Sequence, residues 1–255
     1  MKKTTRKLLL CLSSSTRDNS QIPSDAMAMI CPELSYSGQI SLIRLLQERG
    51  WILSLQHPDK RTTLSLTTLG RAALEREFPV LSTAKHDESK VWTAILFCQS
   101  SKQDPQFRNL RRTVLEAGAV SVSRGMYLFA GSLPPRVEEV VVKLYKQQVS
   151  VFVISQWLFG KDPGNLFSDS GLTQVISAYS GVSKELDELL NIYDSEKSLN
   201  NKRMKQISTL IDRTLAALLE DSPLVRRFFP DSITIHSLVP KIQHLLQTNP
   251  HASML

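Results

Sequence analysis

Polar side chains recur on the outward side of one short segment near the N-terminus, at Ser37, Gln39, Ser41 and Arg44. Glutamine and arginine can form paired hydrogen bonds with the edges of adenine and guanine, and serine is short enough to allow close approach to a base pair. The types and spacing of these residues predict a helix that reads the major groove of double-stranded DNA. A helix face that is merely solvated is the alternative interpretation.

Two basic residues, Lys60 and Arg61, end a polar turn a few positions further on. The turn, at residues 56–61, lies between two β-prone runs at residues 51–55 and 62–66. Basic side chains at the tip of such a hairpin are placed to neutralise DNA phosphates. The sequence therefore predicts a β-hairpin wing beside the reading helix.

Three helices, two strands and a closing helix must position these side chains. We predict helices at 2–13, at 25–31 with Ser24 as its cap, and from Ser35 or Ser37 to 49, strands at 51–55 and 62–66, and a helix from 67. Gly50-Trp51 and Leu66-Thr67-x-x-Gly70 frame the hairpin in a way that resembles many bacterial winged helices. This order predicts a winged helix-turn-helix domain, which binds DNA, over residues 1–82.

Two further domains are expected, and a polar linker at residues 83–90 precedes them. The next elements are a strand at 91–98, a helix at 105–117, strands at 120–123 and 126–129, a helix at 136–148 and a strand at 149–155. This βαββαβ order predicts a ferredoxin-like domain over residues 91–158. Helical spacing of apolar residues predicts a helical C-terminal domain over residues 159–255. We therefore expect an α+β protein of three consecutive domains.

The end of the first central strand bears on an enzymatic interpretation. The central segment resembles the small ferredoxin-like subunit of the CRISPR spacer-integration complex, a metal-nuclease fold whose first strand ends in an acid. Here Phe97 is followed by Cys98, and the nearest acid is Asp104. Divalent cations need rigidly held carboxylates, so we expect no metal, no cofactor and no enzymatic activity. A metal-dependent nuclease or integration-related protein is the alternative function, and a DNA-free adaptor is a third.

Further arginines lie beyond the N-terminal segment. Arg108, Arg111 and Arg112 follow one another along the first central helix, and Arg226 and Arg227 adjoin two phenylalanines in the tail. Guanidinium groups bind phosphate and carboxylate oxygens well. Arg108, Arg111, Arg226 and Arg227 are therefore candidate contacts for a ligand or for phosphate, with a solvated face as the alternative.

Composition sets broad limits on the function. The 255 residues carry a formal net charge of +7, which favours polyanionic partners. Cys11, Cys31 and Cys98 share no close spacing and lie in apolar segments, so we expect buried, reduced thiols, which suit a cytoplasmic protein. The basic, leucine-rich start predicts a helix and not a signal peptide, and no apolar run is long enough to cross a membrane.

Taken in order, the three segments resemble the phenylacetate-catabolism repressor (PaaX-like) family. The resemblance rests on Trp92 in the first central strand, on Phe107-Arg-Asn-Leu-Arg-Arg-Thr-Val-Leu-Glu-Ala-Gly-Ala119, and on Asp221-Ser-Pro-Leu-Val-Arg-Arg-Phe-Phe-Pro230. The tail departs from the family pattern after Pro230, where a Trp usually follows. The resemblance implies a homodimeric repressor that binds a palindromic operator in double-stranded DNA. Because the best-known members sense phenylacetyl-coenzyme A, it also implies a small acid or acyl-coenzyme A as effector.

Overall fold

A computed structural model describes the chain in several stretches. They are residues 1–13, 21–59, 61–82, 92–98, 105–158, 172–196, 201–221, 225, 229 and 231–247. Lys60, the predicted linker at 83–90, Asp104, Arg226 and Arg227 lie outside the described residues. What the sequence predicts for them stays a prediction.

The chain forms two compact units. The sequence predicts three consecutive domains, whereas one of the observed units combines residues from both ends of the chain. One, here called the terminal unit, comprises Met1–Thr83, Thr173–Arg226 and Asp231–Leu255. The other, the central unit, comprises Ala84–Leu172 and Arg227–Pro230. Most of the predicted C-terminal helical segment is therefore not a body of its own, because its helices share a hydrophobic core with the N-terminal segment.

The described elements combine helices and antiparallel sheets. In chain order they are α1 (Lys3–Leu12), β1 (Ile22–Pro23), a 3-10 turn (Ser24–Ala26), α2 (Met27–Ile30), α3 (Tyr36–Glu48), β2 (Ile52–Gln56), β3 (Thr62–Leu66), α4 (Thr68–Glu77), a 3-10 turn (Pro79–Leu81), β4 (Trp92–Phe97), α5 (Pro105–Glu116), β5 (Val120–Ser123), β6 (Met126–Ala130), α6 (Pro135–Val140) with a π-helical continuation (Val141–Tyr145), β7 (Val149–Ile154), α7 (Thr173–Glu196), α8 (Asn201–Glu220) and α9 (Ile235–Gln247). Over the described residues, no helix is both long and apolar enough to cross a membrane.

The predicted strands and helices before residue 158 are found, with ends that shift by up to three residues. Two differ in kind. The second predicted helix begins as a 3-10 turn in which Ser24 is the first residue and not the cap. The helix expected over 136–148 becomes π-helical after Val140.

Helix α1 is the buried centre of the terminal unit. Leu8, Leu9 and Leu10 are at most 1% exposed, because α2, α4, α8 and α9 all contact this helix. On α9, Nε2 of Gln243 donates hydrogen bonds of 2.9 Å to the carbonyls of Cys11 and Ser13. These bonds satisfy carbonyls that the end of a helix leaves without a partner. The leucine-rich start of the chain is thus core, and the C-terminal helix completes it.

The sheet of the terminal unit has the strand order β1-β3-β2, and its pairs are antiparallel. Residue Ile52 pairs with Leu66 and Gln56 pairs with Thr62, so β2 and β3 form the predicted hairpin. Ile52, Leu64 and Leu66 are buried on one side of this hairpin. The hairpin is therefore anchored in the core at its base and extends from it toward residues 57–61.

The central unit is an antiparallel sheet covered on one face by α5 and α6. The strand order is β5-β6-β4-β7, and the chain order β4-α5-β5-β6-α6-β7 is the predicted βαββαβ order. Apolar residues between sheet and helices form its core: Ile95, Phe97, Phe107, Leu110, Val114, Ala119, Tyr127, Phe129, Val137, Val141, Tyr145 and Val149. Edge contacts between the rings of Phe97 and Phe107, with centroids 4.8 Å apart, lie within this core.

The three cysteines differ in environment. Cys11 and Cys31 are buried as expected, and burial raises the pKa of both thiols, to about 12 for Cys31. The expectation of a buried thiol is wrong for Cys98, which is exposed. It follows Phe97, the last residue of β4, so it lies where the chain leaves the sheet.

Candidate nucleic-acid interface

Helix α3 is held at both ends by local interactions that its sequence specifies. The Oγ atom of Ser35 accepts a hydrogen bond from the amide of Gly38 at 3.3 Å, so Ser35 and not Ser37 is the cap. After Arg49 the helix ends at Gly50, whose φ of +66° is in the left-handed region that favours glycine. The first turn of α3 is consequently fixed at the protein surface.

An exposed polar stripe runs along α3. Ser37, Ser41 and Arg44 are exposed, whereas Leu42 and Leu46 form the buried side. The spacing of four and three residues places the three polar side chains on one face of a helix. Their predicted outward position is therefore observed, and we call them the α3 stripe.

The hydroxyl groups of the α3 stripe are held by local hydrogen bonds. Ser41 donates from Oγ to the carbonyl of Ser37 at 2.8 Å, and the hydroxyls of Ser37 and Ser35 lie 3.1 Å apart. Each hydroxyl oxygen has two acceptor lone pairs. The stripe therefore combines short acceptors with the exposed guanidinium group of Arg44, for which no hydrogen bond or ion pair is found with the described residues.

Gln39 does not share the outward position that the sequence predicts for it. Its side chain is half-buried, and its Nε2 donates a hydrogen bond of 3.2 Å to the carbonyl of Leu34. The reason is its phase on the helix, because Gln39 lies one turn before the buried Leu42. A paired contact with adenine would require this bond to Leu34 to open.

At the tip of the hairpin, Arg61 is exposed and lies beside an acid. The backbone amide of Arg61 donates to Oδ1 of Asp59 at 3.0 Å, and Nε of Arg61 lies 3.4 Å from Oδ2 of the same residue. The amide of His57 donates to the carbonyl of Arg61 at 2.8 Å, which closes the turn. An exposed ion pair of this kind contributes only about 0–1 kcal/mol, so Arg61 can exchange Asp59 for a phosphate at little cost.

The junction between α3, the hairpin and α4 is tightly packed. The Thr67 hydroxyl donates to the carbonyl of Gly50 at 2.6 Å and accepts from the amide of Gly70 at 2.9 Å. A Cβ atom on Gly70 would lie 2.1 Å from the carbonyl oxygen of Trp51, so only glycine fits there. The Gly50-Trp51 and Leu66-Thr67-x-x-Gly70 framing seen in the sequence therefore fixes the hairpin relative to α3.

Exposed aromatic and apolar groups on α3 and β2 were not predicted from the sequence. Tyr36, the first residue of α3, is 79% exposed, and Leu53 and Leu55 on β2 are also exposed. A phenol group at the start of α3 can hydrogen-bond to phosphate or pack on a sugar. Its position directly after the predicted cap was the signal that could have identified it.

A buried ion cluster lies behind α3, and sequence reasoning missed this as well. Lys7 on α1 is completely buried, and its Nζ lies 3.3 Å from the carboxylates of Glu33 and Asp212. Lys3 also contacts Asp212, at 2.7 Å. Burial raises the pKa of Asp212, but its contacts with Lys3 and Lys7 outweigh burial and lower the pKa below its usual range. The cluster ties α1 and α8 to the turn that precedes α3.

The arginines of the central unit are exposed on α5. Arg108 and Arg111 have no hydrogen bond or ion pair with the described residues, whereas Arg112 lies 3.9 Å from Glu116. Within the described part of the chain, no group of three His, Cys, Asp or Glu side chains is placed to hold a metal ion. Arg226 and Arg227 fall outside that part, so their predicted ligand contact stays a prediction.

No family model matches the sequence, and no curated protein is significantly similar to it.

Proposed function

We propose that the protein is a transcriptional regulator, acting as a repressor, that binds double-stranded DNA through α3 and the β2–β3 hairpin. The observation that carries the proposal is the exposed α3 stripe of Ser37, Ser41 and Arg44 beside a hairpin that presents Arg61. Short hydroxyls permit close approach to base edges, and arginine gives the commonest base-specific contact, to guanine. The predicted phosphate contact of Lys60 belongs to the same proposal.

The order of the elements supports the same proposal. The series α1, α2, α3, β2, β3 and α4, with β1 adding a third strand to the hairpin, is the order of a winged helix. In the central sheet the strands lie in the order second, third, first, fourth, which is the order of a ferredoxin-like domain. We interpret the protein as a winged helix combined with a ferredoxin-like domain. Helices α7, α8 and α9 belong to the same unit as the winged helix and complete its core.

We further propose that the regulator acts as a homodimer on a palindromic operator. One DNA-binding module of this size buries about 600–1,000 Å² and reads only a few base pairs. Two modules joined in one dimer raise the effective concentration of the second contact and require two half-sites related by two-fold symmetry. The resemblance to the PaaX-like family supports this state.

A small acid or an acyl-coenzyme A is the proposed effector, again by that resemblance. A ligand that binds one arrangement of the dimer more tightly than another shifts the population toward it, and thereby changes the spacing of the two DNA-binding surfaces. Release from the operator would follow from this change of spacing.

The proposal is tested by selecting DNA from a library of genomic fragments with the full-length protein and sequencing what is retained. We expect enrichment of a few fragments that share a near-palindromic site. The matched variants are Arg44→Ala and Arg76→Ala, since Arg76 is an exposed arginine on α4, away from the α3 stripe. Arg44→Ala should weaken the enrichment and relax the base preference at one position of each half-site, and Arg76→Ala should leave both unchanged. Retention of all fragments alike by the wild-type protein would contradict the proposal.

The dimer is tested separately, by light scattering of the full-length protein at micromolar concentration. The expected mass is twice that of the 28.7 kDa chain. A monomer that still protects a palindromic site from nuclease digestion would overturn the dimeric account and leave DNA binding intact.

A further inference from the structure

Basic side chains from three parts of the central unit collect at one end of its sheet. The amide of Phe97, at the end of β4, donates to the carbonyl of Gly125 at 2.8 Å. The hydroxyl of Tyr145, at the end of the π-helical segment, donates to the carbonyl of Gln106 at 3.1 Å. The ring of Phe97 also contacts that of Phe107 on α5, with centroids 4.8 Å apart. Together these contacts place the β5–β6 turn, the first turn of α5 and the end of the helix that follows β6 at one end of the sheet.

Each of these three parts carries exposed basic residues. We call the set the basic end: Arg108 and Arg111 on α5, Arg124 in the β5–β6 turn, and Lys143 and Lys146 beside Tyr145. Among the described residues of the central unit, the acids are Glu116, Glu138 and Glu139. Glu116 ends α5 and the other two lie in α6, so only Glu139, through its pair with Lys143, reaches the basic end.

The charges of Arg108, Arg111 and Lys146 are available to an outside partner. Arg108, Arg111 and Lys146 are exposed, and none has a hydrogen bond or ion pair with the described residues. The pair of Lys143 with Glu139 spans one helical turn with both side chains more than 60% exposed. Exposed pairs of this kind contribute little, so Lys143 can also turn to another anion.

The spacing on α5 suits a chain of phosphates. Arg108 and Arg111 are three residues apart on one side of the helix, which separates them by about 4.5 Å along its axis. Successive phosphates of one DNA strand advance by about 3.4 Å along the duplex axis. Long, flexible arginine side chains readily span this difference, and guanidinium groups match phosphate oxygens in geometry.

We infer that the basic end of the central unit is a second DNA-contacting surface, which binds the phosphate backbone without reading bases. The inference rests on the proposed function for the identity of the polyanion as duplex DNA. It goes beyond that function because α3 and the hairpin belong to the terminal unit. Arginine and lysine dominate this surface, and the amide side chain between the arginines of α5, that of Asn109, accepts a hydrogen bond from Arg112 at 3.1 Å. Such a surface neutralises charge and offers little base code.

The test uses the full-length protein and a fluorescent 40-base-pair duplex of mixed sequence, with affinity measured across a series of salt concentrations. The double variant Arg108→Gln/Arg111→Gln removes two charges from the basic end. Each lost phosphate contact lowers the slope of log affinity against log salt by about 0.9, so we expect the slope to fall by about 1.8. The same slope predicts a loss of affinity of roughly tenfold to thirtyfold at 0.15 M salt.

The matched control is Arg136→Gln, because Arg136 is an exposed arginine at the start of α6, toward the opposite end of the sheet. This variant should leave the salt slope within about 0.3 of the wild-type value, which is about one third of the contribution of one phosphate contact. All these side chains are exposed, and circular dichroism melts should confirm that the variants fold alike. An unchanged slope in the double variant, or an equal change per charge in the control, overturns the inference.

Crosslinking provides a readout that does not depend on affinity. A photoreactive residue at Asn109, which is exposed between the arginines of α5, should crosslink to the duplex, and one at Glu138 should not. No crosslink from position 109 counts against the inference.

The outcomes also separate this inference from the proposed function. If Arg44→Ala and Arg61→Ala weaken binding while the α5 double variant does not, the inference fails and the proposed function stands. If only the α5 double variant weakens binding, the proposed function fails and the basic end remains a DNA-contacting surface. A wild-type protein that binds no duplex at all contradicts both.

Discussion

Helices α3 and α5 both present arginine to solvent, but their surroundings differ in kind. On α3 a single exposed arginine, Arg44, accompanies the hydroxyls of Ser37 and Ser41, whereas α5 presents Arg108 and Arg111 on one side with no hydroxyl between them. Hydrogen-bonding groups of mixed type can distinguish base pairs, and cationic groups alone cannot. The difference agrees with the proposal that α3 reads sequence and that α5 attracts phosphate.

The cores behind the two helices differ as well. The turn before α3 is tied to α1 and α8 by the buried ion cluster around Lys7. Helix α5 packs on an apolar, aromatic core that includes Phe97 and Phe107. Removing one partner of a buried polar network leaves the others unsatisfied, whereas an apolar core tolerates substitutions that conserve its volume. We therefore expect the turn before α3 to be more sensitive than α5 to the loss of one buried side chain.

The largest effect expected from this comparison is on stability. Lys7→Ala removes a fully buried cation and leaves Glu33 without this partner and Asp212 with Lys3 alone, so the free energy of unfolding should fall by about 3 kcal/mol, the lower end for breaking a buried pair. The lower end applies because Glu33 and Asp212 keep some contact with solvent. Chemical denaturation followed by circular dichroism measures the change.

Lys3→Ala is the matched control for that experiment. Lys3 contacts the same carboxylate of Asp212 but is 65% exposed, so its loss should cost less than about 1 kcal/mol. Equal losses for the two variants would show that burial of Lys7 gives no special support to α3.

The next effect is on binding at the hairpin. Arg61→Ala should weaken binding to all duplexes alike and lower the salt slope by about one, because a phosphate contact carries no sequence information. Fluorescence anisotropy on a selected site and on a mixed-sequence duplex measures both quantities. If affinity falls only for the selected site, Arg61 contacts a base, and sequence reading is not confined to α3.

A smaller effect concerns acid. The pKa of Asp212 is lowered on folding, so its contribution to stability is present above the ordinary carboxyl pKa and is lost as the pH falls through the lowered value. Stability of the wild type should therefore decrease below about pH 4 more steeply than that of Asp212→Asn. Denaturation curves between pH 2 and 5 test this. If the stability of the two proteins falls in parallel, Asp212 does not contribute to the loss of stability in acid.

Much of the local structure could be predicted from the sequence. A cap at Ser35 or Ser37, the end of α3 at Gly50 and the βαββαβ order follow from turn residues and short-range periodicity, which act within a few positions, and the hydrogen bond from Gly38 selects Ser35. The prediction that Gln39 points outward was wrong. The apolar residues of α3 form a broad face, and the sequence does not show where that face ends: Ile40, Leu42, Ile43, Leu45 and Leu46.

Long-range packing accounts for what could not be predicted. Lys7 and Asp212 are 205 residues apart in the chain, and nothing in the spacing of either residue indicates the other. Likewise, the all-round burial of Leu8, Leu9 and Leu10 requires α9, which follows more than 220 residues later. One practical consequence is that deletion of residues 1–82 would remove α1 from a shared core, so point variants are the proper test of DNA binding.

The last prediction is that the protein does not cleave DNA. Phe97 ends β4 without a following acid, and we expect duplex and single-stranded DNA to stay intact when the protein is incubated with magnesium or manganese. Gel electrophoresis of labelled DNA is the readout. Cleavage that disappears in Asp104→Ala would show that the central unit is a nuclease. The two units would then differ as a DNA-binding unit and a catalytic unit.

The most direct test of sequence reading by α3 is a set of affinities for the selected operator and for each of its single-base variants. We predict that Arg44→Ala costs about 1–3 kcal/mol on the operator and removes base preference at one position of each half-site. Arg108→Gln/Arg111→Gln should weaken every duplex in the set by a similar factor and leave all preferences in place. If Arg44→Ala leaves the base preferences unchanged, or if the α5 variant alters them, the account of the two helices is contradicted.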